Sequence, residues 1–309
     1  MTMTDITAAG FKGGKTAVAL GFFDGLHLGH TQVIVQALLQ ELTPIVFTFS
    51  GRSVLPKFSR REDIIDHDLK LELLERMGVK HIYAPDFADV KDMTAEQFVQ
   101  EILAERLNAG FVSCGYDFHF AKGGKADADT LRELCGKRGI KVCVVPAVKI
   151  GGETVSSTRI RELIKSGDTE KANLLLGYEL TYCREVIHGK ENGKKMGFPT
   201  INQTIPEGMT LPKFGVYKSR TQIGDTEYPS VTNIGVKPTI DLDEGEVRRP
   251  LMETHIIGFE GDLYGQRISV SLLSYIRDER KFSGLQELSE QLEKDKRSAI
   301  CSPKNLSGR

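Results

Sequence analysis

Two hydrophobic patterns divide the chain. From residue 16 to residue 146, short apolar runs alternate with amphipathic stretches, which is typical of a parallel sheet covered by helices. The apolar runs predict strands at 17–22, 44–49, 80–84, 110–114 and 141–145, and the amphipathic stretches predict helices at 30–42, 94–108 and 127–137. The first half is therefore predicted to be a Rossmann-like α/β domain.

The pattern of the second half is different. Two short helices, at 157–165 and 168–176, are predicted to tether the halves, and beyond them strand-like runs are separated by Gly, Pro and Asp turns. These runs lie at 180–188, 215–222, 228–234, 251–257 and 266–273. Short strands at this spacing indicate a small β-barrel, and the apolar stripe within 284–297 indicates a capping helix.

Composition and charge narrow the class of protein. The 309 residues include 41 Lys+Arg and 42 Asp+Glu, a net charge of -1, which gives no general field for non-specific nucleic-acid binding. The longest apolar runs are far short of the ~20 residues that cross a bilayer, and the first 15 residues lack the apolar core of a signal peptide. Five widely spread cysteines without a CxxC pair indicate reduced thiols. We therefore expect a cytoplasmic protein with no nucleic-acid or membrane partner.

The segment 21–30 reads GFFDGLHLGH and lies between a predicted strand and a predicted helix. A Gly-rich turn that opens a helix leaves unpaired backbone N–H groups at the helix N-terminus, where they can bind phosphate. His27 and His30 flank Gly29, and both imidazoles can hydrogen-bond a phosphate whose charge grows during displacement at phosphorus. The alternative is a glycine turn with two surface histidines, but the position of the motif favours a phosphate site.

The segment 155–163 reads VSSTRIREL. Ser157 or Thr158 can cap a helix there, while Arg159 and Arg161 lie near its start, where basic side chains oppose the helix dipole. That cost, about 0.3–1 kcal/mol, is easier to understand if the arginines face a triphosphate. A plain capped helix is the alternative. A third segment, GYDFHFAKGG at 115–124, offers Asp117 in a Gly-rich turn and is weak by itself.

In the second half, the segment 188–202 reads HGKENGKKMGFPTIN. Thr200 and Asn202 are two residues apart on an extended segment, so both side chains point to one side, and their oxygens suit Mg²⁺. Gly189 and Gly197 let the preceding loop lie close to phosphates. The alternative is a β-turn with a buried threonine.

The three first-half segments, in this order, resemble the FMN adenylyltransferase module of bacterial bifunctional FAD synthetases, a branch of the HxGH nucleotidyltransferases. The resemblance implies direct transfer of an adenylyl group from ATP to FMN, with release of pyrophosphate. It also implies which residues take part. Phosphates of ATP would be handled by His27, His30, Ser157, Thr158 and Arg161, while Gly21, Phe23, Asp24, Gly29 and Asp117 would shape the nucleotide and flavin ends.

Further motifs follow GFPTIN in the second half: GVY, NIGVKPT, METH, LYG and IRDERKF. In this order they resemble the riboflavin kinase barrel. By that resemblance, Glu253 is the base that takes the proton of the riboflavin 5′-hydroxyl, and Thr200 and Asn202 hold the metal. Asn233 would lie near the flavin, Arg277 near the flavin or the phosphates, and Gly189 and Gly197 near the nucleotide.

The sequence thus predicts a bifunctional enzyme that uses ATP and Mg²⁺ in two separate sites, with an adenylyltransferase domain at 1–180 and a kinase domain at 181–309. Riboflavin, FMN and FAD are its other substrates or products. The chain departs from the family pattern in TFSGRSVLPKF at 48–58, at Ala121, which replaces a glycine, and at Gly124 and Ala126. Two alternatives therefore stay open: a riboflavin kinase with a weak or inactive adenylyltransferase module, and a flavin sensor without turnover.

Overall fold

The computed structural model describes residues 3–49, 62–189, 198–236, 250–280 and 282–300. Two compact units divide the chain, Met1–Ser157 and Thr158–Arg309. The domain border predicted at 180/181 stays a prediction. Among the described residues, no helix is both long and apolar enough to cross a membrane.

The first unit is built on a parallel sheet of six strands in the order β1-β4-β3-β2-β5-β6. The five predicted strands are all present, within two residues at each end. The additional strand β1 is a two-residue edge pairing, too short for any periodicity to predict. The strands are β1 (Thr4–Asp5), β2 (Thr16–Leu20), β3 (Thr43–Phe47), β4 (His81–Tyr83), β5 (Ala109–Gly115) and β6 (Lys141–Val145), followed by a small hairpin of β7 (Lys149–Ile150) and β8 (Glu153–Thr154).

Helices accompany this sheet, and the central strand β2 is buried along its whole length. Its neighbours in the core include Ile45, Val112 and Leu103. A continuous apolar strand flanked by parallel partners is what a sheet covered on both faces requires. The helices are α1 (Leu28–Leu38), α2 (His67–Arg76), α3 (Phe87–Val90), α4 (Ala95–Gln97), a π-helix (Phe98–Arg106), a 3-10 turn (Lys122–Gly124) and α5 (Ala128–Gly136).

Helix α1 ends at Leu38 instead of residue 42, the short helix α3 was not predicted, and two further segments differ more. The segment predicted as one helix at 94–108 starts with a capping box between Thr94 and Gln97 and continues as the π-helix, in which Leu107 N bonds Ile102 O at 3.0 Å. Helix α2 was not predicted, because charged residues interrupt its apolar spacing and only Leu69 and Leu74 are buried.

The second unit is an antiparallel sheet in the order β10-β13-β12-β11-β14-β9. Ile187, just beyond β9, bridges Asn202 on β10, so the two edges of the sheet meet and the predicted barrel is confirmed. Two helices precede it and one follows it. The elements are α6 (Ser157–Ser166), α7 (Thr169–Leu176), β9 (Leu180–Glu185), β10 (Thr200–Thr204), β11 (Gly215–Ile223), β12 (Thr226–Val236), β13 (Pro250–Ile256), β14 (Arg267–Arg277) and α8 (Leu285–Ile300).

Buried hydroxyl groups connect the strands on the inner face of the barrel. Thr232 on β12 lies 2.7 Å from the Ser219 hydroxyl on β11 and 2.9 Å from the Thr254 hydroxyl on β13. Gln203 on β10 donates to the carbonyls of Arg184 and Ile268, at 2.7 and 2.8 Å. Since buried polar groups are costly without partners, these bonds favour one register of the strands over its alternatives.

A buried ion pair fastens α8 to the barrel. Arg277, at the end of β14, donates from Nη2 to Asp295 Oδ2 at 2.7 Å, and Gln291 donates to Asp295 Oδ1 at the same distance. The Asp295 side chain is 2% exposed and that of Arg277 is 19% exposed. Near the end of the helix, Ala299 packs against Val216 and Val231. The helix therefore depends on one charged contact as well as on its apolar stripe.

We expect Asp295→Ala to destabilise the second unit by about 3 kcal/mol, because removing one partner leaves a largely buried guanidinium uncompensated. Denaturant unfolding of the full chain measures this. The matched control is Glu133→Ala, which removes an exposed helical ion pair with Lys137 and should change stability by less than about 0.5 kcal/mol. Equal effects of the two substitutions would contradict the bracing role of Asp295.

The loop after β5 holds Ala121 in a backbone conformation that suits glycine. Ala121 has φ 63° and ψ 178°, a region that is essentially restricted to glycine. Phe120 and Ala126 exchange two backbone hydrogen bonds across the loop, and Lys122 N donates to Met93 O at 2.8 Å. These bonds fix the backbone on both sides of Ala121, so the strain is not relieved locally.

Ala121→Gly should therefore stabilise the first unit by about 1 kcal/mol, since relief of the strain exceeds the added flexibility of glycine in the unfolded chain. The control is Ala88→Gly in α3, where the alanine is exposed and helical, and glycine should lower stability by about 0.5–1 kcal/mol. Thermal and denaturant unfolding report both. A loss of stability in both variants would show that residue 121 does not need a glycine conformation.

Candidate functional site

The loop between β2 and α1 is strained at bulky residues. Phe23 has φ 52° and Leu26 has φ 36°, although both side chains are almost completely buried. Large side chains adopt the left-handed region only where the surrounding structure imposes it, and such strain concentrates at binding and catalytic loops. Gly21 is the first residue of this loop, immediately after β2.

Several polar contacts hold this loop in place. Asp24 is buried, its Oδ1 accepts a hydrogen bond from Ile64 N at 2.9 Å, and its carbonyl accepts one from Ser157 Oγ at 2.9 Å. The carbonyl of Phe22 accepts hydrogen bonds from Thr48 Oγ1 and from Lys70 Nζ. These contacts of Asp24 and Ser157 brace the loop, and the roles of the two residues toward the nucleotide stay predictions.

His27 and His30 lie together at the start of α1. Their rings stack with centroids 3.6 Å apart, and His27 Nδ1 accepts a hydrogen bond from His30 N, which makes His27 the N-cap of the helix. Because Nδ1 accepts, a neutral His27 carries its proton on Nε2 and offers it as a donor. Gly29 is the second residue of the same helix. The arrangement combines imidazole donors with helix N–H groups, which suits an anion.

Other predicted residues of the first unit lie at the same edge of the sheet. Asp117 is exposed and follows β5, which is the neighbour of β2, so its loop and the 21–27 loop leave the sheet at adjacent carboxyl ends. This is where parallel α/β sheets bind ligands. Thr158 and Arg161 belong to α6, in the second compact unit, and their predicted phosphate contacts are untested.

In the barrel, four predicted residues lie in one transverse row. Asn202 on β10 pairs with Glu253 on β13, Glu253 pairs with Asn233 on β12, and the row continues through Val216 on β11 to Arg277 on β14. Directly opposed residues of antiparallel strands project from the same face, so Asn202, Glu253 and Asn233 are side-by-side neighbours. Residues 51 positions apart in sequence are thereby brought together.

Asn202 presents an oxygen suited to a cation. The residue is 5% exposed, and its Oδ1 is buried with no hydrogen-bond partner among the described residues. Thr200 lies two residues earlier on the same strand and therefore on the same side. A Cβ on Gly189 would lie 2.2 Å from Asn202 Nδ2, so a larger residue at position 189 would displace the amide from this position. Gly197 lies outside the described residues, as do residues 50–58 of the TFSGRSVLPKF segment.

His255, the register partner of Thr200, holds the backbone before the proposed metal ligand. Its Nδ1 lies 2.9 Å from the Pro199 carbonyl, which can only accept, so Nδ1 carries the proton. Burial lowers the pKa of His255, although the bond to Pro199 opposes this shift. A neutral imidazole therefore fixes the Pro199–Thr200 peptide and places no positive charge beside the predicted metal ligand Thr200.

Sequence reasoning missed two contributors to these sites. Lys70 contacts the strained loop from α2, a helix without a clear periodic signal. His255 stands in METH beside Glu253, and its register with Thr200 follows only from strand pairing. Arg277, predicted to lie near the flavin or the phosphates, donates hydrogen bonds to Asp295 and to the Asp278 carbonyl. Its role toward a ligand stays a prediction.

Comparison with known proteins supports the predictions for both halves of the chain. The FAD synthetase family model matches residues 12–159, and the riboflavin kinase model matches residues 176–301. A crystal structure from Streptococcus pneumoniae, described as a macrolide-efflux protein, has a TM-score of 0.85 and 28% identity, covering 98% of this chain and 100% of that one. The predicted two-domain fold, an α/β nucleotidyltransferase domain followed by a β-barrel with a C-terminal helix, is confirmed.

Curated relatives match along nearly the whole chain. A bifunctional riboflavin kinase/FMN adenylyltransferase from Bacillus subtilis is 35% identical over 301 residues, covering 94% of each chain. The proteins of that description from Listeria monocytogenes and Escherichia coli K12 are 32% and 29% identical, covering 90% and 91% of this chain and 89% and 91% of theirs. At this identity and coverage, the chain belongs to the family of bifunctional riboflavin kinase/FMN adenylyltransferases.

Proposed function

We propose that the chain phosphorylates riboflavin with ATP to give FMN and ADP, and then adenylates FMN with a second ATP to give FAD and pyrophosphate. The observation that carries the kinase step is the row in which Glu253 lies between Asn202 and Asn233. A carboxylate beside an oxygen ligand for a cation is the arrangement that a hydroxyl-to-phosphate transfer needs. The names of the relatives support the same pair of reactions.

In the kinase step, Glu253 takes the proton of the riboflavin 5′-hydroxyl group. The hydroxyl oxygen attacks the γ-phosphorus of ATP, and ADP leaves. Glu253 is exposed on its strand, so a substrate can reach it. Thr200 and Asn202 would hold Mg²⁺, which neutralises charge on the phosphates when it is bound. The buried Oδ1 of Asn202, without a partner among the described residues, fits that ligand role.

In the adenylylation step, the FMN phosphate attacks the α-phosphorus of ATP, and the α–β bond breaks to release pyrophosphate. The oxygen that attacks is already ionised, so no protein nucleophile or base is needed, and the protein contributes positioning and charge stabilisation. His27 and His30 supply donors at the helix N-terminus, and the strained loop before them fixes where they lie. Mg²⁺ is proposed for this step as well.

The second candidate is a riboflavin kinase with a weak adenylyltransferase module, and neither the structure nor the relatives favour it over the bifunctional enzyme. Ala121, with its strained backbone in the loop after β5, departs from the family pattern but does not by itself indicate a loss of adenylylation. The presence of Glu253 between two asparagines argues against a sensor without turnover, since binding alone requires no base. In either candidate the proposed partners are small molecules, ATP, riboflavin and FMN, and the proposed location is the cytoplasm.

Incubating the purified full chain with riboflavin, ATP and Mg²⁺, and then separating riboflavin, FMN and FAD, tests the proposal. Formation of FAD is the expected result. FMN without FAD would select the second candidate, and unreacted riboflavin would contradict both enzymatic readings.

Two substitutions serve as each other's controls in this assay. Glu253→Gln should lower riboflavin phosphorylation by about 10²–10⁴-fold, because an amide cannot take the proton, and should leave conversion of FMN to FAD intact. His30→Ala should lower FMN adenylylation by about 10²-fold or more, through loss of a donor to the developing charge, and should leave phosphorylation intact. If either substitution abolished both reactions in a folded protein, the assignment of two separate sites would be wrong.

A further inference from the structure

A carboxylate with no role in the proposed mechanism lies beside the row in the barrel. Glu279 follows β14, and its Oε1 accepts a hydrogen bond from Asn233 Nδ2 at 3.1 Å. A Cβ on Gly235, two residues further along β12, would lie 2.2 Å from the same oxygen. The carboxylate therefore rests on the backbone of β12, and a larger residue at position 235 would displace it from this position.

This contact decides which way the Asn233 amide points. An ionised carboxylate only accepts hydrogen bonds, so the amide nitrogen turns toward Glu279 and Oδ1 turns away from it. Asn233 Oδ1 is buried and has no hydrogen-bond partner in the described part of the chain. A buried acceptor left without a donor destabilises the free protein, and a ligand that supplies the donor removes that cost on binding.

The position of Asn233 indicates which group of the ligand supplies a donor to Oδ1. Asn233 is the register partner of Glu253, and neighbouring strands lie about 4.8 Å apart. In the proposed kinase step Glu253 faces the 5′-hydroxyl, which is the end of the ribityl chain. The other ribityl hydroxyl groups begin at the next carbon of the chain. Asn233, one strand away from Glu253, is therefore within reach of them.

We propose that Glu279 is a positioning residue for riboflavin binding: it fixes the amide of Asn233 so that Oδ1 accepts a hydrogen bond from a ribityl hydroxyl group. The inference rests on the proposed kinase function and adds a residue to it. Glu279 acts through Asn233 and does not itself touch the flavin.

Glu279→Gln is the first variant to test. Glutamine keeps the size of the side chain but donates as well as accepts, so both orientations of the Asn233 amide become possible. The Kd for riboflavin, measured by flavin fluorescence on the full chain, should rise by about three- to tenfold, the value of one hydrogen bond. The KM for ATP should be unchanged. Glu260→Gln, at an exposed glutamate of the same unit, is the matched control and should leave both constants as they are.

A double substitution separates positioning from a general structural role. In an Asn233→Ala background, Glu279→Gln should have no further effect on riboflavin binding, because its only route to the ligand has been removed. Lumiflavin carries the flavin ring without the ribityl chain. Its Kd should therefore be the same for the wild-type chain and for Glu279→Gln.

Three results would overturn the inference: an unchanged riboflavin Kd in Glu279→Gln, the same loss in the Asn233→Ala background, or an equal loss for lumiflavin. Failure of the proposed function has a different signature. In that case the wild-type chain itself would not phosphorylate riboflavin, whereas an active wild type with an unaffected Glu279→Gln overturns only the role of Glu279.

Discussion

The register of three antiparallel strands is the constraint on which the barrel site depends. β10, β13 and β12 pair without a bulge, and this pairing alone makes Asn202, Glu253 and Asn233 neighbours. A slip of one residue would turn the side chains of the shifted strand to the opposite face. The hydroxyl contacts of Thr232 with Ser219 and Thr254 lie on that opposite, buried face, where a slip would leave them without partners. The hydroxyl contacts inside the barrel thus stabilise the register that brings Asn202, Glu253 and Asn233 together on the outer face.

The two sites are positioned by different physical means. In the barrel, side chains project from regular strands, and their spacing follows from the sheet. In the first unit, the strained residues Phe23 and Leu26 lead into α1, and the loop is held by buried contacts to Asp24 and Phe22. A rigid sheet suits the alignment of a base and a metal ligand, while a constrained loop at a helix N-terminus suits the binding of phosphates.

Sequence reasoning predicted the strands of the first unit well, because their apolar runs are continuous and end at glycines or polar turns. It also predicted Thr200 and Asn202 on one side of a strand, since that needs only the alternation of side chains. The row formed by Asn202, Glu253 and Asn233 could not be predicted from the sequence. Which residue of β13 opposes Asn202 depends on pairing between distant segments, and no local pattern encodes it.

The same limit applies to residues that act through others. Arg277 and Asp295 are 18 residues apart and meet only because α8 folds back on the barrel. Lys70 lies on a helix whose charged sequence hides its periodicity. Glu279 lies in the IRDERKF motif. No local pattern in that motif indicates its contact with Asn233, which forms only when β12 and β14 are in place.

The most direct measurement of the central claim is a crystal structure of the full chain with riboflavin, Mg²⁺ and a non-hydrolysable ATP analogue. The row predicts that the riboflavin 5′-hydroxyl lies about 3 Å from the Glu253 carboxylate, within hydrogen-bond reach. It also predicts the metal on the oxygens of Thr200 and Asn202. A flavin bound with its 5′-hydroxyl away from Glu253, or a metal held by other residues, would contradict the account.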